Sequence, residues 1–150
     1  MVYQWKNSAY IKADANVAGK MCEELERTVG LTAETMLEAN RAESAPLHSE
    51  FEWDDEIAAE GYRLQQARHI INCLCIRQED AKKEPIRAFF RVDTASSSYE
   101  SLDVIIRQED KYAALLKAAG NELKAFKKKY AALKELEELF KLIDDLEVKE

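Results

Sequence analysis

At Asn72 the spacing of apolar residues changes from steps of three and four to steps of two, which restricts the chain to folds that mix helices with a sheet. Upstream, Val17, Ala18, Met21, Cys22, Leu25 and Val29 share one side of a helix expected over residues 15–29. Asp14 can cap its start and Gly30 can end it. Thr32 opens a shorter helix to about Asn40, with Glu34 in its first turn and Met36, Leu37 and Ala39 turned inward. A third helix, capped by Asp54 or Asp55, is expected to run to Ile71 through Ile57, Ala58, Tyr62, Ala67 and Ile70. Beyond Asn72, residues 73–77, 86–92 and 101–106 are rich in β-formers and separated by short polar stretches, as antiparallel strands would be. Residues 2–11 are aromatic and polar by turns and offer a fourth strand.

The last forty residues return to helical spacing. Tyr112, Leu115, Leu116, Ala119, Leu123, Phe126, Tyr130, Leu133 and Leu136 recur at three- and four-residue steps, followed by Leu139, Phe140, Ile143 and Leu146. One long helix fits this pattern, and so does a hairpin broken near Gly120 or Tyr130. A 47% hydrophobic content supports a core, and only 4 Gly and 2 Pro disfavour a turn-rich all-β chain. The expected class is α+β in a single domain: residues 1–71 mainly helical, 72–107 an antiparallel sheet, 108–150 helical.

A net charge of −7 disfavours a strongly basic nucleic-acid binder, which neutralises phosphates with clustered Lys and Arg. Residues 1–76 carry 7 Lys and Arg against 13 Asp and Glu, and residues 77–150 carry 15 against 16. Lys124, Lys127, Lys128, Lys129 and Lys134 form the one basic patch. Three cysteines are an odd number, and Cys73 and Cys75 are badly placed to bridge, so reduced thiols in the cytoplasm are expected. No apolar run approaches the ~20 residues that span a bilayer, and no secretory signal is recognisable.

Catalytic chemistry finds little support. Cys73 and Cys75 are the only close pair among the thiols and histidines, where a zinc site draws on two pairs. Nucleophile motifs and phosphate-binding glycine loops are missing, and the acidic pairs Asp54/Asp55, Glu109/Asp110 and Asp144/Asp145 suit helix ends or solvated faces. No catalytic residue, metal or cofactor is therefore expected. The unusual set is Phe51, Trp53, Arg63 and Arg68, residue types enriched where partners bind, although the aromatic pair can equally fasten the turn while the arginines pair with Asp54, Asp55 or Glu60.

Residues 48–71, with Leu31-Thr32 upstream and residues 126–133 downstream, resemble a family of small proteins encoded in bacteriophages and prophages of Gram-positive bacteria. The resemblance rests on Pro46, Leu47, His48, Phe51, Glu52, Trp53, Asp54, Asp55, Ala58, Ala59, Glu60, Tyr62, Arg63, Gln66, Ala67, Arg68, Ile70 and Ile71. Gly61 departs from the Lys or Gln usual there. The resemblance implies a phage origin and a bacterial host cytoplasm. The expected function is non-enzymatic: binding another macromolecule, a protein first of all, with homo-oligomers formed through the C-terminal helices. The alternative is a DNA-binding regulator that uses the helix pair of residues 15–40, a β wing, and Arg41, Lys124, Lys127, Lys128 and Lys129 on the phosphates.

Overall fold

A computed structural model describes residues 1–146 apart from Ser8, Glu56, Ala58, Ala81, Asp93 and Thr94. The class is α+β: N-terminal helices, a three-stranded antiparallel sheet, and a long C-terminal helix followed by a short one. Contacts gather into two compact units, Met1–Val104 and Ile105–Glu150.

In the first unit, helix α1 (Ala15–Thr28) starts where Asp14 Oδ1 accepts the N–H groups of Asn16 and Val17, at 2.9 and 3.0 Å. These are two of the donors a helix start leaves unpaired. Gly30 follows the C-cap with φ of +86°, the left-handed conformation that closes helices. The buried side is built from Ala15, Ala18, Gly19 and Cys22, whereas Val17 and Val29, expected inward, are exposed. Small residues prevail because strand β1 (Tyr3–Trp5) lies close against this side, and the Tyr3 ring occupies the space above Gly19. Helix α2 (Ala33–Ala39) is capped reciprocally: Thr32 Oγ1 accepts the Thr35 N–H at 3.0 Å, and Thr35 Oγ1 accepts the Thr32 N–H at 2.9 Å. Ala33, Met36 and Leu37 are buried, while Ala39, expected inward, is exposed.

Helix α3 (Glu60–Cys73) begins later than expected, after Ala59 rather than at Asp54 or Asp55. Asp55 accepts from the Arg63 guanidinium instead of capping, and Ile57 projects into solvent. Ala58 and Glu56, assigned to this helix from the sequence, lie outside the described residues. With no loop between, α3 passes into β2 (Leu74–Ile76), the centre of the sheet β1-β2-β3, where β3 is Ile86–Arg87. Gln4, Cys75 and Arg87 share one row of this antiparallel register. The N-terminal segment is thus one of the three strands.

The expected strand over 86–92 divides at Ala88. β4 (Phe89–Phe90) joins β5 (Glu100–Ser101) in a separate two-stranded sheet. Ala88 serves both sheets, donating to Leu74 O at 3.0 Å and accepting from the Leu102 N–H at 2.9 Å. The expected strand over 101–106 ends at Ser101 and becomes helix α4 (Leu102–Ile106), with Ile105 buried and Ile106 exposed. β5 pairs for only two residues, and the β-branched segment after it meets its backbone hydrogen-bonding requirement locally in a helix. Leu31, Met36, Leu37, Leu47, Ile70, Ile71, Leu74 and Phe89 form the centre of the core.

The second unit is a helical hairpin of α5 (Glu109–Tyr130) and α6 (Glu137–Asp144). Lys127 Nζ donates to Asp144 Oδ2 at 2.6 Å, although the two are 17 residues apart. A continuous helix would separate them by about 25 Å, so the chain doubles back. Gly120 sits inside α5 without breaking it, and the reversal follows Tyr130. Phe140 and Ile143 are the buried face of α6. Among the described residues no helix is long and apolar enough to cross a membrane.

Candidate functional site

Three of the four partner-surface candidates meet in one cluster. The chain leaves α2 at Asn40, which is fully buried and satisfied on both ends of its amide: Nδ2 donates to Met36 O at 2.8 Å, and Oδ1 accepts the Leu47 N–H at 3.1 Å. The Asn40 carbonyl lies 2.9 Å from His48 Nδ1. The His48 ring stacks on Trp53 at 4.7 Å and 7°, and Trp53 Nε1 donates back to His48 O at 2.8 Å. Phe51, buried, tilts against the other part of the same indole. Arg63 reaches this cluster from α3. Its Nε donates to Glu52 O at 2.7 Å, and its guanidinium lies 5.5 Å from the Trp53 ring centre. Its Nη2 donates to Asp55 Oδ1 at 2.5 Å, with Glu60 beside it. The hydrogen bond to Asp55 raises the Arg63 pKa above the ordinary guanidinium value, so the guanidinium stays charged.

These contacts fasten the 44–55 segment to α2 and α3. Phe51 and Arg63 are each about 6% exposed, and Trp53 is half-buried. Arg68 lies apart from them, exposed on α3, with no hydrogen bond or ion pair among the described residues. Only Arg68 and part of Trp53 are therefore open to a partner. Asn40 and His48 were not legible as members of this cluster; a polar residue at a helix end just before a Pro-Leu-His turn was the available signal.

The basic residues are scattered in role. Arg41, after α2, is held by Glu38 and Glu60 at 2.6 Å each. On α5, Lys127 is paired with Asp144, Lys129 lies over the Tyr130 ring, and Lys124 and Lys128 are exposed. α2 has seven residues, with Glu34 in its first turn and no basic residue in its last.

The thiols and histidines do not form reactive arrangements. Cys73 Sγ lies 3.6 and 3.7 Å from the two ring nitrogens of His69, a near-equal distance that puts it on the lone-pair line of neither. Burial pushes the Cys73 and Cys75 thiols up in pKa, and pushes Cys22 up strongly with help from Glu26 and Glu23, the reverse of an activated thiolate. Among the described residues no three His, Cys, Asp or Glu groups gather as metal ligands would. An open cleft of about 350 Å³ lies between Tyr10, Tyr62, Glu50, Gln66 and His69. Two of its polar side chains are already occupied: Glu50 accepts the Lys12 and Ala13 N–H groups, and Gln66 accepts the Glu52 N–H.

The hairpin carries a row of open apolar side chains. Along α5, Tyr112 is 50% exposed, Leu116 54%, Leu123 38% and Phe126 39%, and Ala119 between them is also exposed. On α6, Leu139 and Leu142 remain open. Helices of soluble monomers keep such a stripe covered. Comparison with protein-family models, with curated proteins and with solved structures finds no match to this chain.

Proposed function

We propose that this chain is a non-enzymatic accessory protein that works by binding another protein, and that the contact is the open apolar side of α5. The observation that carries this reading is the row of half-exposed Tyr112, Leu116, Leu123 and Phe126 on a 22-residue helix whose hairpin partner has only eight residues. At 1.5 Å per residue the shorter arm covers about 12 Å of a helix about 33 Å long. The resemblance of residues 46–71 to phage and prophage proteins supports a phage setting, which the neighbouring genes would test. The DNA-regulator alternative is weakened by the carboxylates that hold Arg41.

A photo-crosslinking residue placed at Leu116 or Leu123 in cells tests the surface. Both positions should give protein adducts, while Lys117 and Lys128, off the apolar row, should not. Absence of adducts from the apolar row, with the protein folded and expressed, refutes the reading.

A further inference from the structure

We infer that the cleft beside α3, in the Met1–Val104 unit, is a binding site for a primary alkylammonium group; this goes beyond the α5 proposal and does not rest on it. Two stretches of chain supply its walls. Tyr62, Gln65 and His69 step by three and four residues along one face of α3, and Tyr10 and Ile11 add to the lining from the segment between β1 and α1. That segment is pinned on both sides of Tyr10. The Ala9 N–H donates to Lys6 O at 2.9 Å, Trp5 Nε1 donates to Ala13 O at 2.7 Å, and Glu50 Oε1 accepts the Lys12 and Ala13 N–H groups at 3.1 and 2.8 Å. Gln66 ties Glu50 to α3: its Oε1 accepts the Glu52 N–H at 3.1 Å and its Nε2 donates to Glu50 O at 3.5 Å.

Charge decides the sign of the occupant. Among the described residues that line the cleft, Glu50 is the only one of Asp, Glu, Lys and Arg. Its Oε1 is filled by the two N–H groups, whereas Oε2 has no hydrogen bond or ion pair among the described residues. A carboxylate fixed in this way attracts a cation and repels an anion. Tyr10 is 96% exposed and Tyr62 51%, so both rings keep a face uncovered for a cation to sit against. The balance of 7 Lys and Arg against 13 Asp and Glu over residues 1–76 extends the attraction outward.

The single open oxygen also selects the kind of cation. A guanidinium gains most by gripping both carboxylate oxygens as a fork, and here one of them is already taken. An ammonium is a point charge that needs one oxygen. Its remaining N–H groups can turn to Gln65, whose amide has no hydrogen bond among the described residues. A volume of about 350 Å³ lies near the lower end of the range for ligand cavities, which suits one short chain carrying the charge.

Amide NMR spectra of the full chain, titrated with n-butylammonium chloride at about pH 7.5, where an alkylamine holds its proton, test this. The Lys12 and Ala13 amide signals should shift and saturate with a dissociation constant of about 1 mM. Sodium chloride at matched ionic strength, butyrate, and n-butanol, which has the same length without the charge, should leave them in place. Glu50→Gln keeps an oxygen for the two N–H groups, so its circular dichroism should stay native while binding weakens about tenfold or more. Tyr62→Leu, on the exposed face of α3, should weaken binding about two- to fivefold. Nα-acetyl-lysine N-methylamide separates the sources: binding as tight as butylammonium assigns the site to lysine side chains of a partner, and binding of butylammonium alone assigns it to free amines. No saturable shift up to about 20 mM, equal shifts with n-butanol or sodium chloride, tighter binding of n-butylguanidinium, or unchanged binding in Glu50→Gln overturns the inference. Were Glu50→Gln to unfold, the n-butanol comparison and Tyr62→Leu decide it.

Discussion

Replacing Gly19 with alanine should destabilise the first unit although alanine is the better helix former. A Cβ built on Gly19 would lie 2.5 Å from Tyr3 Cε2 and nearer still to Cγ and Cδ2, where ordinary carbon contacts begin at 3.4 Å. Tyr3 cannot swing aside freely. Its hydroxyl donates to Glu23 Oε1 at 2.6 Å, its N–H donates to Asn16 Oδ1 at 2.8 Å, its ring stacks with Phe89, and its backbone pairs with Ile76. Overpacking of this kind costs about 1–3 kcal/mol, and the several tethers argue for the upper end. The helix gains about 1 kcal/mol from losing glycine. A net loss of about 2 kcal/mol follows, rising to about 4 if the ring is expelled and its burial lost. Urea unfolding read by tryptophan fluorescence measures this in the right place, since Trp5 and Trp53 both lie in Met1–Val104. At ordinary urea sensitivities the midpoint should fall by about 1 M. Shrinking the ring with Tyr3→Leu should cost less in the Gly19→Ala background than in the wild type. A Gly19→Ala protein as stable as wild type, or more so, would mean that the ring does not pack on this side of α1.

Alkaline pH should loosen the same unit: burial raises the Cys22 and Tyr3 pKa values above their ordinary 9.0 and 10.0, so the unfolded chain releases these protons first. The thiol's stabilisation is complete below pH 9 and the phenol's below pH 10, and each declines above that point by about 1.4 kcal/mol per pH unit; Cys22→Ala should remove the thiol's share, and a pH-independent midpoint from 8 to 10.5 would refute the burial argument. Phe51→Ala should cost about 3–5 kcal/mol in the same urea assay, whereas exposed Arg68→Ala should change stability by less than about 0.5 kcal/mol; equal effects would contradict the division between fastening and open residues.

Features held by hydrogen bonds within one turn could be read from the sequence. Asp14 and Thr32 mark helix starts because their partners lie two and three residues away, and Gly30 marks a helix end because its own φ of +86° is one that glycine adopts freely. Features decided by distant partners could not. Asp55 looks like a cap until Arg63 claims it, and residues 101–106 look like a strand until the chain turns helical after Ser101, β5 having paired with β4 over two residues. Ala88 gives no local sign that its N–H and C=O will serve two sheets. The same distinction separates the two candidate surfaces. Trp53 and Arg63 are the residue types that recognise partners, yet His48, Phe51, Glu52 and Asp55 from their own chain engage them. Tyr112, Leu116 and Leu123 are the residue types that build cores, yet they remain open. Residue type states what a side chain can bind, and only the fold states whether its own chain has already done so; that test is why the proposed place for a partner is the apolar row of α5 rather than the aromatic turn.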